Sequence, residues 1–101
     1  MIVRLVKMTF RANETSNFEQ LFTKVQPLIS GFEGCLGVEL LKGTTSENKA
    51  CVYFTRSLWM EEKNLEAYRA SGLFAETWNA TKAMFAEKAE AWSTKIVSNE
   101  I

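Results

Sequence analysis

The segments of this chain that read as β-strands are apolar on both faces, and that property limits what it can fold into. Over residues 2–11, Ile2, Val6, Met8 and Phe10 share one face with Arg4, while Val3, Leu5 and Thr9 share the other with Lys7. Over residues 50–56, Cys51 and Tyr53 oppose Val52 and Phe54. An antiparallel sheet with one face in water shows a polar alternation on that side. None is visible here, so both faces call for a cover.

Helices supply one of the two covers. Phe18, Leu21, Phe22, Val25, Leu28, Ile29 and Phe32 recur at helical spacing after the polar break Asn13-Glu14-Thr15-Ser16. Ser16 and Glu19 have the spacing of a capping box. Pro27 is expected to kink or loosen the last turns, and Gly31 and Gly34 to end them. A second strand is expected over 35–41, a polar hairpin loop over 42–49 and a third strand over 50–56. Ser57-Leu58-Trp59 then leads into a helical region over 61–70. Ser71-Gly72 interrupts it, and a longer helix follows with the stripe Phe74, Trp78, Thr81, Phe85 and Ala89. A last strand is expected over 91–99, with Trp92, Ile96 and Val97. The order is β-α-β-β-α-β, a ferredoxin-like α+β arrangement with an antiparallel sheet and helices on one face. All 101 residues are then used in one domain, 1–101. A second copy of the chain is the economical cover for the remaining face. Hiding roughly 600–800 Å² of apolar surface per subunit contributes on the order of 15–20 kcal/mol before association costs.

Composition narrows the functional classes. Lys plus Arg and Asp plus Glu both number 12, so net charge gives no reason to expect nucleic acid or an anionic membrane as partner. The apolar run at the start carries Arg4 and Lys7, and no stretch of 18 apolar residues exists, so no membrane span or secretion signal is expected. A cytoplasmic location follows. Cys35 and Cys51 lie inside apolar runs and form neither a CxxC nor a metal-binding pair, which points to small buried hydrophobes. The chain has no histidine. That removes the commonest metal and haem ligand and the commonest general base, and no metal site or cofactor is expected.

Several short segments, in order and at matching spacing, resemble the antibiotic biosynthesis monooxygenase family over essentially the whole chain. They are Met1-Ile2-Val3-Arg4, the run from Phe32-Glu33-Gly34-Cys35-Leu36 to Leu41, Phe54-Thr55-Arg56-Ser57-Leu58-Trp59, Leu65-Glu66-Ala67-Tyr68-Arg69, and Ser71-Gly72-Leu73-Phe74. The resemblance implies a dimeric α+β barrel with a pocket between sheet and helices. It also implies one of three activities: cofactor-free oxygenation of phenols and quinols, haem degradation, or none established. Haem-degrading relatives use a His on the long helix, an Asn on the first strand and a Trp after the third. Those positions hold Trp78, Val6 and Trp59 here, so only the tryptophan matches and haem degradation is disfavoured.

The pocket expected from the resemblance draws on Val6, Met8, Phe54, Arg56, Trp59, Tyr68, Trp78 and Phe85. Cofactor-free oxygenation needs an apolar cavity for a flat ring and dioxygen, and a fixed donor or cation that favours the reactive phenolate. Arg56, Arg4 and the indole N–H of Trp59 are the candidates for that role, with Tyr53 or Tyr68 as proton relay. Trp59, Arg56 and Tyr68 are the expected catalytic set. Each has a structural reading beside it: Phe74, Trp78 and Phe85 as core packing, Trp59 as a core anchor, Arg56 as a solvated or dimer-pairing charge, Tyr68 as a core edge and Arg69 as a surface charge. A homodimer that binds a small aromatic ligand without turning it over, or serves in stress, is the competing function.

Overall fold

The structure is a computed structural model that describes residues 1–44 and 51–98. Four strands and three helices follow in the order β1 (Ile2–Phe10), α1 (Thr15–Ser30), β2 (Cys35–Lys42), β3 (Val52–Trp59), α2 (Glu62–Arg69), α3 (Gly72–Lys82) and β4 (Phe85–Lys95). The strands form one antiparallel sheet in the order β2-β3-β1-β4. The second helical unit is split in two, and the whole is the expected ferredoxin-like α+β arrangement. Residues 45–49 of the expected hairpin loop, residue 50 of the expected third strand and residue 99 of the expected last strand lie outside the described residues.

Register decides which side chains meet. Ile2, Arg4, Val6 and Met8 pair across β1 with Trp59, Ser57, Thr55 and Tyr53 of β3, so all eight side chains share the inner, helix-covered face. There Ile2, Met8, Phe10, Tyr53 and Trp59 pack against Phe18, Phe22, Val25 and Ile29 of α1 and Leu65 and Tyr68 of α2. The i, i+4, i+7 and i+11 spacing of the α1 residues puts them on one stripe. Phe10 and Phe18 stack at 4.2 Å, and Tyr53 closes on both edge-on at 5.5 Å.

The outer face carries Val3, Leu5, Val52, Phe54 and Leu58 from the central strands, with Leu41 and Trp92 from the edge strands. No element of the chain lies over it among the described residues. Leu41 and Trp92 remain 42% and 44% exposed. The two-sided apolar pattern is therefore real, and one side of it is left uncovered within the subunit.

Several local expectations are corrected. The Ser16–Glu19 capping box does not form: a short 3-10 turn at Ala12–Glu14 moves the helix start to Thr15, so Ser16 sits inside the first turn and accepts from Gln20 instead. The end of α1 is as expected, with Pro27 in its last turn and Gly31 as its cap. β3 runs three residues beyond Arg56, so Trp59 is its last residue and not part of the connection. α3 stops at Lys82, where the Ala83 and Met84 amides bond back to the Asn79 and Thr81 carbonyls. Phe85 and Ala89 thus belong to β4, which begins six residues earlier than expected and ends at Lys95, leaving Ile96 and Val97 beyond it and exposed.

Gly34 is a turn residue whose identity is required. It joins α1 to β2 with φ of +81°, and a Cβ there would lie 2.1 Å from the Asn64 side chain. Its carbonyl accepts from the Met60 amide at 2.8 Å, fixing the α1–β2 turn against the end of β3.

Candidate functional site

Between the inner face of the sheet and the helices lies a cavity of about 290 Å³. Its floor is Arg4, Val6 and Met8 of β1 with Thr55 and Ser57 of β3. Phe18, Leu21, Phe22, Val25 and Ile29 of α1 form one wall, and Leu65, Tyr68, Phe74, Thr77, Trp78 and Thr81 of α2 and α3 form the other. Each helix turns its apolar stripe toward the sheet, yet α1 and α3 stand apart at this point and leave ligand-sized room between them. The polar groups are few. They are the Tyr68 phenol, the hydroxyls of Thr55, Ser57, Thr77 and Thr81, and the guanidiniums of Arg4 and Arg69. No aspartate or glutamate lines the cavity among the described residues.

Of the expected site residues, Val6, Met8, Tyr68 and Trp78 line this cavity. Trp59 and Phe85 stand one layer behind. Trp59 is fully buried, stacks on Tyr68 at 5.2 Å and donates its indole N–H to Ser57 Oγ at 2.9 Å. Its donor is thereby spent inside the protein and does not point at a ligand. Phe85 meets Trp78 edge-on at 5.6 Å and Phe10 at 5.3 Å, backing the Trp78 ring.

Phe54 and Arg56 are not brought to the cavity. The period of two along a strand sends Tyr53, Thr55, Ser57 and Trp59 inward, so Phe54 and Arg56 point to the outer face. Arg56 there pairs with its direct cross-strand neighbour Glu39 at 3.8 Å. Because β3 continues to Trp59, three residues past Arg56, the two side chains lie on opposite faces.

Tyr53 is also withdrawn from the cavity, its hydroxyl donating to Glu19. Burial first, and then the Glu19 carboxylate, push its pKa up. Tyr68 is pushed up to about 12, chiefly by burial and secondarily by Cys35. Neither tyrosine can take a proton at neutral pH, and Tyr68 faces the cavity as a neutral O–H donor. Burial raises the Cys35 pKa, only partly offset by a backbone hydrogen bond of Gly37, which keeps the thiol protonated and unreactive. Both cysteines are free and half-buried. Among the described residues no three His, Cys, Asp or Glu side chains converge into a metal-ligand set.

Arg69 is the residue that sequence reading missed. It is exposed, as a surface charge would be, but it also lines the cavity beside Arg4. The available signal was its position directly after Tyr68 at the end of α2, where one turn of helix faces the pocket. Arg4 donates to Ser93 Oγ at 3.0 Å across β1 and β4. Its pKa is lowered, first by burial and then by the Arg69 guanidinium, so the two cations feel each other.

No helix among the described residues is long and apolar enough to cross a membrane. Comparison with known proteins follows the same fold. No curated protein matches the chain by sequence. Among solved structures, an antibiotic biosynthesis monooxygenase superposes with a TM-score of 0.82 at 11% identity, over 97% of this chain and 100% of that one. Rv0793 from Mycobacterium tuberculosis gives 0.84 at 9% identity, over 97% and 96%. A variant of SnoaB, a cofactor-independent oxygenase from Streptomyces nogalater, gives 0.81 at 15% identity, over 97% and 94%. At these identities the likeness is one of fold. The sequence pattern of the antibiotic biosynthesis monooxygenase family matches residues 1–80, four fifths of the chain, and the chain therefore belongs to that family.

Proposed function

We propose that this chain is a cofactor-independent monooxygenase acting on a small aromatic compound of the quinol type, and that it works as a homodimer. The observation that supports the reading best is the aromatic-walled cavity of about 290 Å³, open between sheet and helices and furnished with one neutral phenol and two guanidiniums. Family membership and the resemblance in fold to a cofactor-independent oxygenase favour the same class.

Oxygenation without a cofactor must draw every electron from the substrate. Inserting one atom of dioxygen into a ring while the other leaves as water takes four electrons. A quinol supplies all four by becoming a hydroxylated quinone, so that quinol plus dioxygen gives hydroxyquinone plus water with atoms and electrons balanced. The phenolate gives up its electrons to oxygen far faster than the phenol does. A fixed cation in a poorly hydrated cavity stabilises that anion, and Arg4 is placed to do so. Tyr68, protonated at neutral pH, adds a hydrogen bond to the substrate oxygen. Trp59 acts through Tyr68 by stacking on its ring, which makes it a positioning residue, and Phe85 does the same for Trp78.

The outer sheet face supports the dimer. Val3, Leu5, Val52, Phe54, Leu58 and the exposed Leu41 and Trp92 form an apolar surface that a second copy would cover.

The test is oxygen uptake with a series of substituted hydroquinones. Arg4→Gln is expected to lower kcat/KM by on the order of 10²-fold, the usual effect of removing one charge-stabilising donor, and Tyr68→Phe by roughly tenfold. Uptake that is absent with every hydroquinone, or unchanged in Arg4→Gln, counts against the proposal. Saturable quenching of tryptophan emission by the same compounds without uptake would favour a binding protein instead.

A further inference from the structure

We infer that the guanidiniums of Arg4 and Arg69 adapt this cavity to an aromatic carboxylate, with the ring among Phe22, Phe74 and Trp78 and the carboxylate held between the two arginines. This rests on the cavity being the ligand site proposed above, and it names the class of substrate that site takes.

The chain has four arginines. The two outside the cavity each lie within 4 Å of a carboxylate: Arg11 beside Glu14 at 3.5 Å and Arg56 beside Glu39 at 3.8 Å. Among the described residues Arg4 and Arg69 have no such partner, and no acidic side chain lines the cavity they share. Two like charges beside an apolar hollow repel each other, and the half-buried Arg4 also loses hydration; a ligand with no ionised group leaves both costs in place. An anion lying between them turns repulsion into two attractions. A guanidinium has five N–H donors in a planar fork that matches a carboxylate, and Arg4 uses one of its donors on Ser93 Oγ. Arg69 is exposed and Arg4 half-buried, so the pair marks the mouth of the cavity, with aromatic walls behind. An apolar ring carrying one fixed negative charge matches that layout: the ring enters and the charge stays at the rim. The wall behind the arginines is aromatic, with Phe22, Phe74 and Trp78 all lining the cavity.

The experiment is calorimetric titration with 2-naphthoate and its neutral isostere 2-naphthamide, neither of which is an electron-rich phenol. Wild type is expected to bind naphthoate at least roughly tenfold more tightly, with the preference shrinking as salt rises. Arg4→Gln and Arg69→Gln should each weaken naphthoate by about fivefold or more while leaving naphthamide within about twofold, and Arg4→Lys and Arg69→Lys, which keep the charge and lose the fork, should keep only part of the preference. Unchanged naphthamide binding shows that the variants remain folded. Equal binding of the two compounds by wild type, no binding of either, or a preference that survives in the double glutamine variant would overturn the carboxylate site. A clear naphthoate preference with no hydroquinone oxidation would overturn the oxygenase reading alone. Oxygen uptake with hydroquinone at the same kcat/KM as with 2,5-dihydroxybenzoate would overturn the carboxylate site and leave the oxygenase standing.

Discussion

Tyr68 joins the core to the cavity. Trp59 stacks on one side of its ring, Phe32 and Phe74 meet it edge-on at 5.5 and 5.3 Å, and its face toward the cavity is free for a ligand. This burial is what pushes its pKa to about 12. The unfolded chain releases that proton near pH 10, as an exposed tyrosine does. A pKa raised by folding contributes stability that is complete below about pH 10 and is lost as pH climbs through about 12. Urea unfolding between about pH 9 and 12 should therefore show wild type losing stability more steeply than Tyr68→Phe. Tyr53 shifts in the same direction, so the variant should keep part of the slope. Identical slopes would mean that Tyr68 ionises as freely in the fold as out of it. Trp59, Tyr68 and Trp78 were legible in the sequence as aromatic residues worth attention. Their division into lining and backing residues was not, because which ring is in front depends on how α2 and α3 lean on the sheet.

At the scale of elements, the turn between α1 and β2 shows a local requirement that the sequence states openly. Gly34 has the positive φ expected of a glycine ending a helix, and it also lets Asn64 come close. Gly34→Ala is expected to cost about 1–2 kcal/mol for the backbone conformation alone, before any clash with Asn64. At about 4–8 °C per kcal/mol that is a fall in Tm of roughly 4–16 °C. Made in an Asn64→Ala background, the same change should cost less; an equal cost would show that the close approach has no energetic weight. β4 teaches the opposite lesson. Ala86-Glu87-Lys88-Ala89-Glu90-Ala91 is made of good helix formers, and Phe85 and Ala89 continue the spacing of Trp78 and Thr81, so the pattern reads as helix. Pairing with β1 overrides it: the strand gains a ladder from Phe10 to Ile2, with two register shifts to fit it. Propensity is worth tenths of a kcal/mol per residue, and a partnered edge outweighs it.

For the whole molecule, the uncovered sheet face sets the expected assembly. The wild type should sediment near twice its 11.5 kDa chain mass at low micromolar concentration. The double variant Leu41→Lys, Trp92→Glu places charges on the exposed part of that face and should shift the equilibrium to single subunits, with its circular dichroism unchanged, since both side chains are more than 40% exposed within the subunit. A wild type that sediments as one subunit would remove the dimer from the proposal.

The sequence by itself determined the element order, the one-sided helical cover, and the excess of apolar surface on the sheet. These depend on periodicities of two and near 3.6, which are local. Only the tertiary structure decided which of two strand faces each residue occupies, and so moved Phe54 and Arg56 away from the cavity. It alone brought Arg69 beside Arg4, 65 positions away in the chain. Strand parity is set by register against a neighbour, and the meeting of distant charges by how helices land on a sheet. Both are properties of partners that a local pattern does not contain.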